Sequence, residues 1–368
     1  MDRRTFLTGA SAALVARSAT AQTPTRQWQS LSLTEAGFKP DASERLQKAF
    51  ADGELKGLHG LVVLRHGKIA MEHYFTGPDE IWGDSRGTVA FNADELHDLR
   101  SVSKSIVGLI YGIALGEGHV PKPDAPVLAS FPDYRDLAAD AERQRIKIEH
   151  VLTMSMGLAW DESLPYTDPR NSEIAMERAP DRYRFILEQP ITRPPGEAWT
   201  YSGGTTALLG HLVAKGSGQR LSAYASSRLF APLGIGNFVW TNGMDGKEEA
   251  AASGLRLRPR DLAAIGQLLL DKGSHGGRQI IPAEWVEQAL TQRAQRQDGT
   301  GYGYQWYLGR DRAGNAWYGA EGNGGQRLII APKQQIVIAV TAGNYNLPGN
   351  SRLPLRVASE FVFGALAQ

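Results

Sequence analysis

Apolar positions along the chain first follow a helical spacing, with Leu46, Phe50 and Leu55 marking one face of "DASERLQKAFADGELKG". The next stretch, "LHGLVVLRHGKIAMEHYF", is rich in β-branched and apolar residues and predicts two strands about a turn at His66-Gly67. A mostly apolar run, "IVGLIYGIALGEG", then predicts a helix directly after "SVSKS". As far as residue 250 or so the chain is helix-like and broken by Pro and Gly, in "IEHVLTMSMGL", "APDRYRFILEQ", "GTTALLGHLVAKGSG" and "SAYASSRLFAPLGI". "RPRDLAAIGQLLLDKG" is amphipathic, with Gly273 as its stop. Strand patterns return in "GYGYQWYLG", "QRLIIAPK" and "QIVIAVTAG", the last two joined by a turn at "PKQQ". "PLRVASEFVFGALA" closes the chain as a helix. Strands at both ends with helices between predict an α+β fold, an α/β sandwich. Its antiparallel sheet is built from both chain ends and flanked by helices, with a helical region of about 108–250 inserted.

Charge and composition remove several function classes. The formal charge of +1 gives no broad attraction to nucleic acid or acidic lipid. Without cysteine there can be no disulfide, thiolate catalysis or cysteine metal site. The eight histidines show no H-E-x-x-H spacing, and no G-x-x-x-x-G-K-[ST] occurs, so neither metal nor cofactor is expected. The start, "MDRRTFLTGASAALVARSATAQ", has a basic pair, a short apolar middle and "ATA" before Gln22. It predicts a signal peptide over residues 1–21, of twin-arginine type, and a periplasmic or secreted mature chain from Gln22. No later apolar stretch reaches the ~20 residues of a membrane span.

Three short stretches carry candidate chemistry. If Ser101 opens a helix, Lys104 lies on the same face, within reach of its hydroxyl. A serine needs a neighbour to take its proton, and a lysine can do so when burial lowers its affinity for that proton. About one chance S-x-x-K is expected in a chain of this length, so the spacing alone decides nothing. Ser103 and Ser105 are expected to cap or pack. Tyr201 in "TYSGGTTALLG" is the second candidate. Beside a lysine ammonium a phenol could ionise more easily and act as a base. In "EGNGGQRLII" the turn Asn323, Gly324, Gly325 could aim backbone N–H groups at an oxyanion. A competing G-x-S-x-G match, "GDSRG", reads as a loop with Ser85 on the surface, since an elbow needs a buried strand before it. His150 and His211 read as structural helix histidines. Trp160, Tyr166 and Trp306 are candidate linings of a substrate pocket.

The order of these stretches resembles the serine β-lactamase and penicillin-binding protein superfamily. It is most similar to the branch of class C β-lactamases, DD-peptidases, family VIII carboxylesterases and 6-aminohexanoate-dimer hydrolases. "LHDLRSVSKSIVGLIYGIAL", "PPGEAWTYSGGTTALLG" and "GNGGQRLIIAPKQQIVIAVTAGNY" are among the landmarks, and the resemblance spans nearly the whole mature chain. It implies a β-lactamase/transpeptidase-like fold over 22–368, with Ser101 as acylated nucleophile, Lys104 as its partner and Tyr201 as proton shuttle. The oxyanion hole would be the N–H groups of Ser101 and Gln326. Gly203 stands where class C enzymes carry Asn, and Asn323 where they carry Lys; Arg327 is a possible replacement cation. The expected activity is hydrolysis of ester or linear amide bonds of a small substrate through an acyl-enzyme. The alternatives are a true β-lactamase or D-alanyl peptidase, and a penicillin-binding sensor that stays acylated.

Overall fold

The computed structural model describes residues 26–367, and the expected signal segment lies outside them. The first hairpin joins β1 (Leu58–Arg65) to β2 (Lys68–Tyr74). Its turn puts His66 at φ 51° and Gly67 at φ 76°, the left-handed pair that a two-residue hairpin turn requires. A second hairpin, β3 (Thr76–Ile81) with β4 (Asp84–Ala90), corrects the loop reading of "GDSRG". Nearly all of β4 is exposed, so no alternation of apolar residues marks it as a strand, and Ser85 lies exposed upon it. A small sheet pairs β5 (His97–Asp98) and β6 (Val239–Trp240) with β7 (Leu255–Leu257); β8 (Ser274–His275) pairs with β9 (Arg278–Gln279).

The late strands are β10 (Ala294–Gln295), β11 (Gly301–Tyr302), β12 (Tyr307–Arg310), β13 (Ala316–Gly322), β14 (Gln326–Ala331) and β15 (Ile336–Ala342). With β1 and β2 they form an eight-stranded antiparallel sheet in the order β10-β11-β12-β13-β14-β15-β1-β2. β13 escapes sequence patterning because its aromatic residues are half-buried and its glycines interrupt the alternation.

Helices cover both faces. They are α1 (Ala42–Ala51), α2 (Val102–Gly116), α3 (Arg135–Ala138), α4 (Ile148–Leu152), α5 (Ser172–Arg178) and α6 (Arg182–Glu188), then α7 (Gly203–Ser217), α8 (Leu221–Ala225), α9 (Pro259–Leu270), α10 (Ala283–Ala289) and α11 (Arg352–Arg356). The twofold alternation of strand residues divides the core. Leu61, Val63, Ile338 and Val340 face Leu46 of α1 and Phe361 of the closing helical turns. Val62, Leu64, Val337 and Ala339 face Ile106 of α2 and Leu262 and Ile265 of α9. The α9 helix ends with Lys272 at φ 51° and the Gly273 N–H bonded to the Leu268 carbonyl at 2.7 Å, so the expected stop falls one residue early. Among the described residues no helix is long and apolar enough to cross a membrane.

Every residue of α2 from Val102 to Ala114 is buried, as expected of a helix apolar on all sides. Gln305 ties it to its neighbours. Its backbone carbonyl accepts from Ser105 Oγ (2.5 Å), its side-chain oxygen from Thr206 on α7 (2.7 Å), and its side-chain amide donates to the Leu152 carbonyl (3.1 Å).

Directly before α2 lies a buried polar knot. The His59 and His97 rings meet at 2.9 Å, and His97 Nδ1 bonds the Asp98 carbonyl at 3.0 Å. Asp79 accepts from Arg86 (3.0 Å), Arg256 (3.3 Å) and the Tyr345 hydroxyl (3.2 Å). His59, Asp79 and His97 have ligand atoms within 4.8 Å of one another. The carboxylate is already matched by two guanidinium groups, however, and the unbonded His59 Nε2 is walled in by the backbone at Gly77 and Gly343. Burial pushes His59 down to about 4 and His97 to about 3, so both are neutral at pH 7. In the unfolded chain they protonate near pH 6.5, so below that value the unfolded state binds more protons. Stability is therefore full above about pH 6.5 and falls as the pH drops toward 4. Urea unfolding midpoints should decline from pH 7 to pH 5, with a shallower decline in His97→Gln; an unchanged slope in that variant would remove the imidazole pair as the cause.

Candidate active site

Ser101 sits at the start of α2, with φ −66° and ψ −8°. Arg100, just before it, takes a left-handed φ of 49°, a conformation a side-chain-bearing residue keeps only when its surroundings enforce it. Here Asp98 meets Arg100 Nε at 3.1 Å, Glu80 meets its terminal nitrogen, and the Tyr345 ring lies 4.8 Å beneath the guanidinium. One turn into the helix, buried Lys104 donates from Nζ to Ser101 Oγ at 3.0 Å and to the Ala252 carbonyl at 3.2 Å. The Tyr201 hydroxyl donates to the same Ser101 Oγ at 2.6 Å, and its ring lies 5.0 Å from Lys104 Nζ. Three residues singled out from separate sequence positions thus meet at one oxygen. Ser103 and Ser105 are held by backbone bonds, to the Arg100 carbonyl (2.6 Å) and the Gln305 carbonyl (2.5 Å).

Tyr201 differs from expectation in its acidity. Burial, with the carboxyl groups of Glu162 and Glu173 nearby, pushes the phenol well above its ordinary value, although the bond to Ser101 opposes this. It is a protonated hydroxyl, not a ready phenolate. Ser202 next to it caps α7 by accepting from the Thr205 N–H.

The third stretch closes the site. A side chain at Gly322 would collide with the Leu99 carbonyl, so glycine lets the end of β13 come against the entry to α2. Gly324 (φ 94°) and Gly325 (φ 99°) make the left-handed turn into β14. Asn323 is tied down at both side-chain ends: its amide donates to Asn346 Oδ1 (2.7 Å), and its oxygen accepts from the Asn346 N–H (2.8 Å) and Asn350 Nδ2 (2.9 Å). Gln326 is anchored to Ala342 of β15 and lines the same cleft as Ser101. Arg327 is clamped by Glu321, with both terminal nitrogens at 2.9 Å, so it offers no free charge in place of the expected cation.

The cleft has a volume of about 540 Å3, and a second chamber of about 180 Å3 opens on the other side of Ser101. Tyr166 lines both. Trp306 does not line either: it is fully buried in the main core. Residues of an extended segment alternate in direction, and it is Tyr307, one position on, that faces the cleft beside Trp199 and Tyr201. Trp160 stands behind the cleft wall, donating from Nε1 to Glu162 at 2.6 Å. His150 accepts from the Lys147 N–H at 3.1 Å to cap α4, and His211 lies between Phe131, Tyr183 and Glu248. Sequence reasoning missed Arg296 in the cleft wall, held near Asp298 (3.2 Å), and two acids, Glu162 in the cleft lining and the buried Glu173. No spacing rule picks out acids on an irregular loop and a short helix.

A sheet from both chain ends, a buried central helix and a Ser-Lys-Tyr cluster at its start define a class of serine hydrolases. The chain belongs to the Beta-lactamase family, whose model matches residues 28–359. It is 26% identical over 320 residues to the 6-aminohexanoate-dimer hydrolase of Paenarthrobacter ureafaciens, covering 81% of this chain and 74% of that one. It is 27% identical over 183 residues to Esterase EstB of Burkholderia gladioli, covering 47% of this chain and 44% of the relative. Among solved structures, a Bacillus anthracis protein provisionally described as a 6-aminohexanoate-dimer hydrolase shares the fold with a TM-score of 0.71. There the identity is 20%, with 94% of this chain and 90% of that one covered.

The geometry makes a direct test possible. A fluorophosphonate should add once, to Ser101, as read by intact mass and peptide mapping. Lys104→Ala should slow labelling by the ~10²–10⁴-fold typical of losing an acid–base group, and Tyr201→Phe should slow turnover while keeping the ring. An adduct on Ser85 or Ser103, or full turnover by a folded Tyr201→Phe protein, would contradict the assignment.

Proposed function

We propose that the chain cleaves ester or linear amide bonds of a small substrate through an acyl-enzyme on Ser101. The observation that carries this reading is the convergence of Lys104 Nζ and the Tyr201 hydroxyl on Ser101 Oγ at the wall of an open cleft. Lys104, once neutral, takes the Ser101 proton as Oγ attacks the carbonyl carbon. The N–H groups of Ser101 and Gln326 receive the oxyanion, where fixed dipoles lower the barrier without reorganisation. Tyr201 passes the proton to the departing alcohol or amine, and then relays one from the water that releases the acyl group.

The preference for esters and open amides rests on the side chains at 203, 323 and 327, since Arg296, a further cation in the cleft wall, is paired with Asp298 at 3.2 Å and lies over the Trp199 and Tyr307 rings. A β-lactam antibiotic presents a carboxylate, and a charged hydrogen bond to it is worth ~1.5–3 kcal/mol. Asn323 carries no charge and has its side chain tied to Asn346 and Asn350, and Arg327 is neutralised by Glu321. Gly203 offers no side chain at all. Measured on one preparation, kcat/KM for p-nitrophenyl butyrate should exceed that for nitrocefin by about tenfold or more, at ~1.4 kcal/mol per factor of ten. A nitrocefin value equal to or above the ester value would restore the β-lactamase reading, and a single burst without turnover would restore the sensor.

Export belongs to the same proposal, supported by Arg3-Arg4 and by "ATA" before Gln22. N-terminal sequencing of the exported protein should begin near Gln22. Full-length chain in the cytoplasm with Met1 retained would refute it.

A further inference from the structure

We propose that Glu162 and Glu173 share a single proton beside Lys104, and that this carboxyl pair is a positioning element setting the charge against which Lys104 exchanges the Ser101 proton. The second half of this inference rests on the serine-hydrolase reading above.

Three observations lead to it. Glu173, on α5, is buried; its Oε1 accepts from Ser253 Oγ at 3.1 Å, whereas its Oε2 has no donor among the described residues and lies 3.9 Å from Lys104 Nζ. Glu162 accepts from Trp160 Nε1 (2.6 Å) and the Gly203 N–H on one oxygen, and from the Tyr166 hydroxyl (3.1 Å) on the other. Both acids crowd the same α-carbon: a Cβ at Gly203 would lie 2.6 Å from Glu173 Oε2 and 3.3 Å from Glu162 Oε1. Glycine at 203 is therefore the residue that lets an oxygen of each carboxyl group come close to one point next to the nucleophile's lysine.

Two ionised carboxylates and one ammonium would leave an unbalanced negative charge beside the nucleophile, where Glu173 and Lys104 are buried, which is costly. One proton on the pair removes that charge and gives the donorless Glu173 oxygen a partner. Burial and the neighbouring Glu173 accordingly hold Glu162 well above the ordinary carboxyl range, with Lys104 acting the other way. Among the described residues the cations lining the two chambers are already paired, Arg100 with Glu80 and Asp98, Arg296 with Asp298 and Arg327 with Glu321. Tyr166 and Tyr201 are neutral phenols kept protonated by burial and by these same acids. Glu177, on α5, is matched by Arg182 at 3.2 Å, and Glu321 by Arg327.

The pair thus carries one negative charge spread over two sites, of which Glu173 is the nearer to Lys104. Glu162→Gln confines the charge to Glu173, so the ammonium is held more tightly. Glu173→Gln moves it away to Glu162, so the ammonium lets its proton go more readily. The rising limb of kcat/KM against pH for p-nitrophenyl butyrate should shift alkaline in Glu162→Gln and acid in Glu173→Gln. At a fixed pH on that limb, rates relative to each variant's plateau should differ from wild type by about three- to tenfold in opposite directions. A merely structural role would lower the plateau and leave the limb in place, so unmoved limbs, or limbs moving together, overturn the proposal.

Infrared spectroscopy of the substrate-free wild-type protein at pH 7 gives a second readout. The carbonyl stretch of a buried protonated carboxyl should be present and should vanish in both variants. Its absence in wild type, or its survival in both variants, refutes the shared proton. This measurement needs no turnover: failure of the wild-type protein to hydrolyse any ester would strike the hydrolase reading, and the band would still decide the proton.

Discussion

An ammonium group buried on a helix that is apolar on every side is the constraint around which this molecule is arranged. Removing such a charge from water costs several kcal/mol even after relaxation, so Lys104 can stay inside only if polar partners are brought to it. They come from distant parts of the chain: Ser101 from the same helix, the Ala252 carbonyl from the strand-bearing segment beyond the helical region, Tyr201 from the entry to α7, and Glu173 from α5. Each partner in turn dictates a neighbour. Tyr201 stays close because Gln305 locks α7 to α2, and Ser101 keeps its aim because Arg100 is held in a strained conformation by Glu80, Asp98 and Tyr345.

Glycines at this site act as absences that other groups fill. Gly322 admits the Leu99 carbonyl, Gly324 rests on the Tyr345 ring, and Gly203 admits two carboxyl groups. The polar side chains that would be free in a site shaped for an anionic substrate are turned inward. Asn323 fastens the loop that carries Asn346 and Asn350, and Arg327 fastens Glu321. The cleft therefore brings Ser101, Lys104 and Tyr201 together, while the cations in its wall, Arg296 and Arg327, are each paired with an acid.

Much of this could be read from the chain itself, where local rules suffice. The turn at His66-Gly67, the helix after "SVSKS", the Ser101–Lys104 spacing and the two long late strands each follow from periodicity or turn chemistry, and the structure has them. The β3–β4 hairpin and β13 were illegible because their faces are exposed or half-buried and carry no apolar rhythm. Trp306 was misjudged for a related reason: its one-residue offset from Tyr307 reverses which ring reaches the cleft, and composition carries no direction. The acidity of Tyr201 was also misjudged, because burial, with two carboxyl groups brought in from elsewhere, raises the phenol. Glu162 and Glu173 matter only through tertiary approach across a glycine, which no linear spacing encodes.

The pairing of β1 with β15 has a consequence for how the molecule comes into being. About 270 residues separate Arg65 from its partner Ile336, and these two strands lie side by side within the sheet. The face of β1 that meets α1 can be covered early, but its second edge must wait for β15, in the last part of the chain. Contacts of such long range slow folding and leave apolar strands uncovered in the interval. Until β15 is made, one edge of β1 therefore has no strand partner, and a helper that shields that edge would act on yield without touching the finished molecule.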